Sequence, residues 1–422
     1  MKTDARRAGA EGPKRILLVA PNLSRHMGGE ALKALQIHLE LRAMGYQVRQ
    51  VTHARVRAEM TRDHPELDIV YVEDDRFQSS LHRASIGPAL GLLNAWQLHR
   101  LAVRTAASFR PWVVHFTSPI SPVLPYFRFP DFPVVIGPLN GNVTHPPAFR
   151  EREPRGKAFG SRVLRPMQWL LGSLFKGKRD AVILVSGGDR TMRALRLGGC
   201  SPDRLVPSLD SGMPDALVDR EPQRHVGYNP SFVFLGRLVA YKGCDLAIRA
   251  VAAADDQAIT LDILGDGPER AGLEALAAQL AISDRVRFHG WVQPGAALHD
   301  RLRTYRGLVM PSLAEANGIA FQEAMTLGVP IVCIDWAGPQ ELLTAADAIL
   351  ITPDDVESVV ARLAAALDTL ASDSAAANKF ATNARNRALA TGFRWRELLA
   401  RWEDVYRRAA HLHATPSQGN QR

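Results

Sequence analysis

The chain alternates short, β-branched apolar runs with longer segments in which apolar residues recur at helical spacing. The first run, RILLVA at 15–20, predicts a buried strand, and the segment 28–45 after it predicts a helix that ends at Gly45. Such alternation is typical of parallel sheets covered by helices on both faces. Further strands are predicted by the runs YQVRQVT, LDIVYV, WVVHF, FPVVIG and AVILVS.

The same alternation restarts after a break at 207–230, which is rich in proline, glycine and charge and lacks periodicity. We interpret this break as a linker between two domains. The fold class predicted is therefore α/β, with two Rossmann-like, doubly wound parallel-sheet domains facing each other across a ligand-binding cleft. The strands predicted after the break are SFVFLG, ITLDILG, RVRFHG, GLVMPS, PIVCID and AILI.

The last apolar pattern predicts a long amphipathic helix, FRWRELLARWEDVYRRAA, that crosses back from the second domain. We expect residues 1–215 to form the N-terminal domain and residues 216–392 the C-terminal domain. Residues 393–422 then form the crossover helix, packed on the N-terminal domain, and a polar tail. The residues on its apolar face are Trp395, Leu398, Leu399, Trp402 and Val405.

Composition places the chain among globular proteins of the reducing cytosol. Its 422 residues are 46% hydrophobic and 23% charged, enough for sizeable cores without covalent crosslinks. The three cysteines are far apart in sequence and form no CxxC pair, which argues against a disulfide framework or a cysteine zinc site. With neither a leader-like segment nor an apolar run of ~18 residues, a cytoplasmic location is expected.

Charge is distributed unequally between the two halves. Residues 1–210 contain 31 Lys and Arg against 18 Asp and Glu, whereas the remainder contains 21 against 25. A basic N-terminal half indicates an anionic partner, or simply a solvated basic face. The segment 150–180 combines basic residues with apolar ones. It predicts either a surface helix on an anionic membrane or an internal helix with a basic outer face.

The stretch EANGIAFQE places Glu315 before a predicted helix and Glu323 on it. If Gly318 caps that helix, the amides of Ile319 and Ala320 are unpaired and form a small anion site. Glu323 would lie ~7 Å along the axis, with its side chain tilted back toward the helix start. Two carboxylates beside a bound anion suit a phosphate that carries a hydroxyl-bearing ring on either side. Either carboxylate could also lie on a solvated face.

Two cations lie in one predicted strand-to-helix loop, FVFLGRLVAYKG. Arg237 and Lys242 follow Gly236 at what should be the carboxyl edge of a sheet. Such a pair suits a diphosphate, whose charge must be neutralised when a bond to it breaks. Ordinary surface cations remain the alternative.

Gly28 and Gly29 lie between the first predicted strand and the first predicted helix. Adjacent glycines allow a ligand to approach the backbone closely at a helix N-terminus. The segment lacks the GxGxxG pattern, which argues against dinucleotide binding here.

Five motifs in order resemble the C-terminal signature series of the retaining GT-B glycosyltransferases of family 4, the glycosyl transferases group 1. They are GRLVAYKG, ILGDGPE, VRFHGWV, MPSLAEANGIAFQEAMTLGVPIV and GPQE, with the E-x7-E spacing met by Glu315 and Glu323. The resemblance extends over residues 13–410 and is looser in the N-terminal half. SGM at 211–213 and the final amphipathic helix also resemble segments of that family.

The resemblance implies transfer of a sugar from a UDP-, GDP- or ADP-sugar, as co-substrate, to a saccharide or lipid-linked acceptor. It places the donor on the C-terminal domain and the acceptor on the N-terminal domain, in bacterial cell-surface polysaccharide or glycolipid synthesis. Family members need no metal and no other cofactor. The residues implied in the donor diphosphate, ribose and sugar contacts are Arg237, Lys242, Gly236, Glu323, Glu315, Asn317, Gly318, Ile319, Ala320, Gly28 and Gly29.

Family precedent also implies attack of the acceptor on the front face of the sugar, with Glu315 positioning the sugar rather than acting as a nucleophile. The family often has E-G-F-G where this chain has Glu-Ala-Asn-Gly, which leaves the donor sugar open. A histidine that contacts the donor sugar in many members would correspond to His115, although Thr117 or Ser118 could take that position. His115 could also be a buried strand histidine.

On the acceptor side the turn-rich segment 135–147 offers Asn140, Gly141 and His145, or it is an ordinary loop. If the basic segment contacts a membrane, the acceptor is lipid-linked and the protein works at the inner face of the plasma membrane. Two rival functions are a sugar-nucleotide epimerase of the same fold and a nucleic-acid-binding protein. We expect no nucleic-acid partner, because aromatic residues do not alternate with the cations on one face.

Overall fold

The first apolar run forms β1, at the centre of a seven-stranded parallel sheet with the order β3-β2-β1-β4-β5-β6-β7. This order is that of a doubly wound fold, which reverses direction between β1 and β4. The strands are β1 (Arg15–Val19), β2 (Gln47–His53), β3 (Ile69–Val72), β4 (Val113–Phe116), β5 (Val134–Leu139), β6 (Val182–Val185) and β7 (Leu205–Pro207).

The computed structural model describes residues 14–73, 87–121, 124–141, 144–152, 169–315 without 171 and 173, and 318–415. Helices cover the first sheet, and its buried strands carry almost uninterrupted apolar side chains, as a sheet covered on both faces requires. The helices here are α1 (Gly29–Ala43), α2 (Arg57–Asp63), α3 (Gly87–Phe109), α4 (Gly177–Asp180) and α5 (Gly188–Leu197).

A second parallel sheet of six strands has the order β10-β9-β8-β11-β12-β13. Its central pair is β8 and β11, where the strand order reverses. Its strands are β8 (Ser231–Leu235), β9 (Thr260–Leu264), β10 (Val286–Gly290), β11 (Gly307–Met310), β12 (Ile331–Ile334) and β13 (Ile349–Ile351).

Eight helices accompany the second sheet within the described residues. With both sheets parallel and helix-covered, the predicted fold class, α/β with two Rossmann-like domains, is confirmed. The helices are α6 (Asp215–Val218), α7 (Cys244–Ala253), α8 (Arg270–Gln279), α9 (Ala296–Leu302), α10 (Ile319–Leu327), α11 (Gly338–Leu342), α12 (Val356–Ser372) and α13 (Ser374–Thr391).

The chain divides into two units, each of which is made of segments that are not contiguous in the sequence. The first contains residues 1–141, 164–210 and 395–422, and the second contains residues 142–163 and 211–394. Two residues of the earlier of these two ranges contact the rest of the second unit. Arg152 pairs with Asp245 at 2.9 Å, and the Thr144 carbonyl accepts from Trp336 Nε1 at 2.8 Å. The boundaries expected from sequence, after residues 215 and 392, stay predictions.

The final helix, α14 (Trp395–Ala414), belongs to the first unit. Its buried face lies against apolar residues of the central strands, among them Ile16 and Leu18 of β1. Trp402 is 1% exposed, and its Nε1 donates to Ser208 Oγ at 2.8 Å. The helix is thus held by apolar packing and by the hydrogen bond of the Trp402 indole. Within the described part of the chain, no helix has the length and apolarity needed to cross a membrane.

His115 lies on β4 in the interior of this packing, with no exposed surface. Its Nε2 donates to the Gly137 carbonyl at 2.8 Å, and its Nδ1 accepts from the Tyr406 hydroxyl at 2.9 Å. The Trp402 ring meets it edge to face at 5.4 Å. Because both ring nitrogens are used inside the core, the geometry favours the buried-histidine interpretation over the expected contact with a donor sugar. Burial lowers the pKa of His115 to about 4.

We predict that Trp402→Ala lowers the free energy of unfolding of the first unit by about 3–5 kcal/mol, because it leaves a large cavity under α14. Asp404→Ala on the same helix is the control, since its carboxylate is 76% exposed and pairs with Arg407 at the surface. Urea unfolding followed by far-ultraviolet circular dichroism measures both. Equal losses in the two variants would contradict the packing described here.

We predict that His115→Gln reduces the acid sensitivity of the first unit. Between pH 6.5 and about 4 the unfolded chain binds a proton that the folded His115 cannot, so wild-type stability falls with pH in this window. The full fall from this group is about 3 kcal/mol, and the variant should lack it. Urea unfolding at pH 7, 5.5 and 4 tests this. Parallel pH profiles for the two proteins would be the contrary result.

Candidate functional site

The site of the second unit is built where two loops leave the central strands β8 and β11. The β8 loop runs through Gly236 and Arg237 to a 3₁₀ turn at Ala240–Lys242. It contacts the β11 loop through a hydrogen bond from the Leu313 amide to the Tyr241 carbonyl, at 2.8 Å. Gly243 has a φ of 67°, and a Cβ there would collide with the Pro311 carbonyl. Glycine at this position therefore allows the two loops to approach.

Lys242 and Glu315 form an ion pair across these loops. Their side chains are 16% and 12% exposed, so each charge depends on the other for much of its stabilisation. The backbone of Glu315 is also fixed, because its carbonyl accepts from the Gly338 amide at 2.8 Å. The structure therefore brings together two of the residues that the sequence predicted for the site.

Gly318 caps α10, as expected, with a φ of 54°. A Cβ at this position would lie 2.6 Å from Phe321 Cδ2 and 3.2 Å from Glu315 Cγ, so the turn has no room for a side chain. The N–H groups of Ile319 and Ala320 lie in the first turn of α10, where the helix offers no preceding carbonyl for them to bond. They point outward from the helix start along its axis. This end of α10 therefore offers N–H donors beside the Lys242–Glu315 pair. Asn317 lies outside the described residues.

Arg237 is exposed, and its guanidinium takes part in no ion pair or hydrogen bond among the described residues. Its charge is therefore available to an anion, in contrast to that of Lys242, which Glu315 partly neutralises. Gly236, directly before it, is half-buried. The loop thus presents one free and one paired cation at the carboxyl edge of β8.

Glu323 is buried in the second turn of α10 and has a partner that the sequence analysis missed. His299 on α9 places its Nε2 3.1 Å from Glu323 Oε1, and both side chains are 12% exposed. His299 belongs to none of the recognised motifs. Its only sequence signal is its place next to the apolar Leu298 on a short helix, which does not indicate what it contacts.

In the first unit, Gly28 caps α1 with a φ of 94°, and Gly29 begins the helix. Both are exposed, and a Cβ on Gly28 would have nothing within 4 Å, so the backbone is open at this turn. The next residue, Glu30, accepts from Ser118 Oγ, which fixes the helix start to the loop after β4. Thr117, beside it, is buried. The predicted phosphate contact of the two glycines stays a prediction.

A buried ion pair lies one turn further along α1. Lys33 Nζ is 2.8 Å from Asp210 Oδ1, and the same oxygen accepts from Asn140 Nδ2 and Ser186 Oγ, both at 3.3 Å. This network joins α1 to the loops that follow three strands of the first sheet. Asn140 is therefore held in place, and the carbonyl of Gly141 accepts from Thr191 Oγ1 at 3.1 Å. Their predicted acceptor role is not tested by these contacts.

Ligand atoms of His26, Glu59 and Asp63 in the first unit lie within 4.8 Å of one another. Their carboxylates already have donors, however: Arg62 bonds both oxygens of Asp63, and Ser24 and the Arg25 amide bond those of Glu59. Both carboxylates of this group are therefore already paired with protein donors.

Part of this chain is similar to known glycosyltransferases. Residues 217–387 match the family described as Glycosyl transferases group 1. A 2-deoxystreptamine glucosyltransferase of Streptomyces kanamyceticus is 32% identical over 142 residues, which are 32% of this chain and 36% of the relative. The lipopolysaccharide core biosynthesis glycosyltransferase LpsE of Rhizobium meliloti (strain 1021) is 33% identical over 151 residues, 35% and 42% of the two chains. This chain thus matches less than half the length of either relative.

Among solved structures, Anabaena Alr3699/HepE in complex with UDP-glucose superposes with a TM-score of 0.62 at 17% identity, over 95% of this chain and 99% of HepE. At this identity the likeness concerns the fold. The described sheets and the structural neighbours agree on two Rossmann-like domains of the GT-B type. Residues 217–387, which contain the site in the second unit, are accordingly similar to glycosyltransferases of group 1.

Proposed function

We propose that this protein is a retaining glycosyltransferase that moves a hexose from a nucleotide-diphosphate-sugar to a saccharide or lipid-linked acceptor in bacterial cell-surface polysaccharide or glycolipid synthesis. One observation carries the proposal: Lys242 and Glu315 are paired beside the amide-bearing end of α10. The pair lies within the segment 217–387 that matches the glycosyl transferases group 1.

The charges of this site suit the leaving group of such a reaction. Arg237, Lys242 and the amides at the start of α10 offer two cations and a helix terminus to a diphosphate. They stabilise the charge that grows on the diphosphate as its bond to the sugar breaks. In this proposal Glu323, one turn further along α10, accepts hydrogen bonds from the ribose hydroxyls. The complex of HepE with UDP-glucose supports a nucleotide-sugar donor, and UDP-, GDP- and ADP-sugars remain the set to test.

Retention in this proposal does not use Glu315 as a nucleophile. The carboxylate of Glu315 already has Lys242 as its ion-pair partner. Glu315 instead stabilises positive charge on the sugar ring, while the acceptor hydroxyl attacks from the face that the diphosphate leaves. A phosphate oxygen of the departing diphosphate takes the hydroxyl proton. The new glycosidic bond then keeps the configuration of the donor.

The two named relatives are both glycosyltransferases, and no observation here favours the epimerase or the nucleic-acid-binding alternative. Their names mention different molecules, 2-deoxystreptamine and lipopolysaccharide core, and the second supports a glycolipid acceptor for this chain. An acceptor of that kind would be met at a membrane surface. We therefore extend the proposal to a cytoplasmic protein that binds the inner face of the plasma membrane.

An exposed apolar patch in the first unit fits such a contact. Trp169, Leu170 and Leu174 are 60%, 51% and 67% exposed. They lie in a helical segment whose Gly172 meets the backbone of Gly198, directly after α5. Residues 153–168, 171 and 173 of the predicted basic segment lie outside the described residues.

The helix α5, which ends next to Gly198, carries exposed basic side chains. Arg193 and Arg196 on α5 are both exposed. A large exposed apolar patch beside cations is the combination that binds anionic lipid surfaces. Of the two readings of segment 150–180, these exposures support the lipid-facing one.

We predict that Lys242→Ala and Glu323→Ala each lower kcat/KM about 100-fold or more while the protein stays folded, because each removes a contact to the donor. Lys379→Ala, an exposed lysine of α13, is the matched control. Mass spectrometry of products from UDP-, GDP- and ADP-sugars with membrane extract measures turnover, and NMR of the product gives its anomeric configuration. Activity near that of the wild type in either variant, with the fold retained, would refute the site. An inverted product would refute retention.

We predict that Trp169→Ser combined with Leu174→Ser weakens binding to vesicles of phosphatidylglycerol and phosphatidylcholine about tenfold or more, because each apolar side chain adds about 1–2 kcal/mol when inserted. Leu389→Ser, 45% exposed on α13, is the control. Cosedimentation with anionic vesicles and with pure phosphatidylcholine vesicles separates charge from apolar contact. If wild type and variant bind the anionic vesicles equally, or the wild type binds none, this patch is not a membrane surface.

A further inference from the structure

The carboxylate of Glu323 is held from the side by a residue of another helix. His299 Nε2 lies 3.1 Å from Glu323 Oε1, and with the proton on Nε2 the ring donates to that oxygen. Both side chains are 12% exposed, so this bond replaces much of the water that a free carboxylate would bind. One oxygen of Glu323 therefore has a fixed direction before any ligand arrives.

The helix that carries His299 is itself fixed to the sheet. Arg301 Nη2 donates to Asp262 Oδ2 on β9 at 3.0 Å, and the Tyr305 hydroxyl donates to the same oxygen at 2.6 Å. Arg301 Nε also donates to the Tyr305 oxygen at 2.8 Å. On the other face of α9, Leu298 and Leu302 are buried. Polar contacts on one side and apolar packing on the other thus leave α9 little freedom, and His299 reaches Glu323 from a rigid support.

We infer that His299 is a positioning residue that orients the Glu323 carboxylate to recognise the vicinal diol of a ribonucleotide. This inference rests on the proposed function, in which Glu323 meets the donor ribose. With one lone pair of Oε1 taken by the imidazole, Oε2 and the remaining lone pair of Oε1 are left as two acceptors for a ligand. A rigid pair of acceptors can bind both neighbouring hydroxyls of ribose, whereas 2′-deoxyribose offers only one of the two. The pair therefore favours ribose over 2′-deoxyribose.

Binding of nucleoside diphosphates tests this inference without knowledge of the sugar or the acceptor. Isothermal titration calorimetry with UDP, GDP and ADP identifies the tightest of the three, which is then compared with its 2′-deoxy form. We expect the wild type to prefer the ribose form about tenfold, the value of one hydrogen bond to a charged group. In His299→Leu we expect this preference to fall toward one, with weaker ribonucleotide binding and a higher donor KM but a much smaller change in kcat.

His299→Gln should restore most of the preference, because its amide N–H can reach the same oxygen. His413→Leu, an exposed histidine on α14, is the control. If His299→Leu does not fold, His299→Ala provides the same comparison without an added apolar branch. A merely structural role for His299 would weaken the ribose and deoxyribose forms alike and leave their ratio unchanged.

The outcomes separate this inference from the proposal on which it rests. A wild type that binds none of the three diphosphates overturns the proposed function and this inference together. A wild type that binds a diphosphate without preferring ribose, or a His299→Leu variant that keeps the full preference, overturns the role of His299 alone and leaves the proposed function standing.

Discussion

The pairing of β8 with β11 is the constraint from which the site in the second unit follows. Register pairs Gly307 with Phe232 and Leu308 with Val233, so the two strands run side by side although about 70 residues separate them in the chain. Because both are parallel and central, their loops leave the same edge at the point where the strand order reverses, which is where doubly wound sheets bind ligands. The Lys242 loop and the Glu315 loop meet there for this reason.

The same constraint explains why glycines lie next to the charged residues of the site. Loops from neighbouring strands, ~4.8 Å apart, cannot cross unless one of them lacks a side chain at the point of contact. Gly243 against Pro311 is such a point, and within the β11 loop Gly318 lies so close to Phe321 and Glu315 that it has no room for a side chain. Closely packed loops in turn shield Lys242 and Glu315 from water, which strengthens their attraction and makes the loss of either partner costly. The glycines allow the loops to pack closely, and this close packing is what shields the charged pair.

Local signals explain how far the sequence alone could go. The strand runs, the cap at Gly318 and the cation-bearing loop are all contained in short segments, and the structure forms them as expected. β7 was missed, since only Leu205 of its three residues is buried and three residues carry no periodicity. His299 was missed for a different reason: its partner lies 24 residues away on another helix, and helical spacing within one segment carries no information about such a contact.

His115 illustrates the converse case. The family resemblance implied that His115 contacts the donor sugar, yet the ring is enclosed by Trp402 and Tyr406, which are almost 300 residues away in the chain. The aromatic face of the final helix was visible in the sequence, but its register on β4 was not. Once the helix is docked, the imidazole must satisfy two buried hydrogen bonds, and that requirement alone explains a histidine at this position.

The sequence motifs of the family are easier to recognise in the C-terminal half than in the N-terminal half, and the proposed function offers a chemical reason. A diphosphate and a ribose are common to UDP-, GDP- and ADP-sugars, so the residues that bind them recur in a recognisable order, and the family match covers 217–387. Acceptors differ, and loops that contact them have no shared pattern to keep. What the first unit needs instead is a rigid frame for variable loops, and the Lys33–Asp210 pair supplies one by joining α1 to Asn140 and Ser186. We therefore expect acceptor choice to depend on the loops around this frame, and the frame itself to tolerate little change, because removal of either charge leaves the other buried and unpaired.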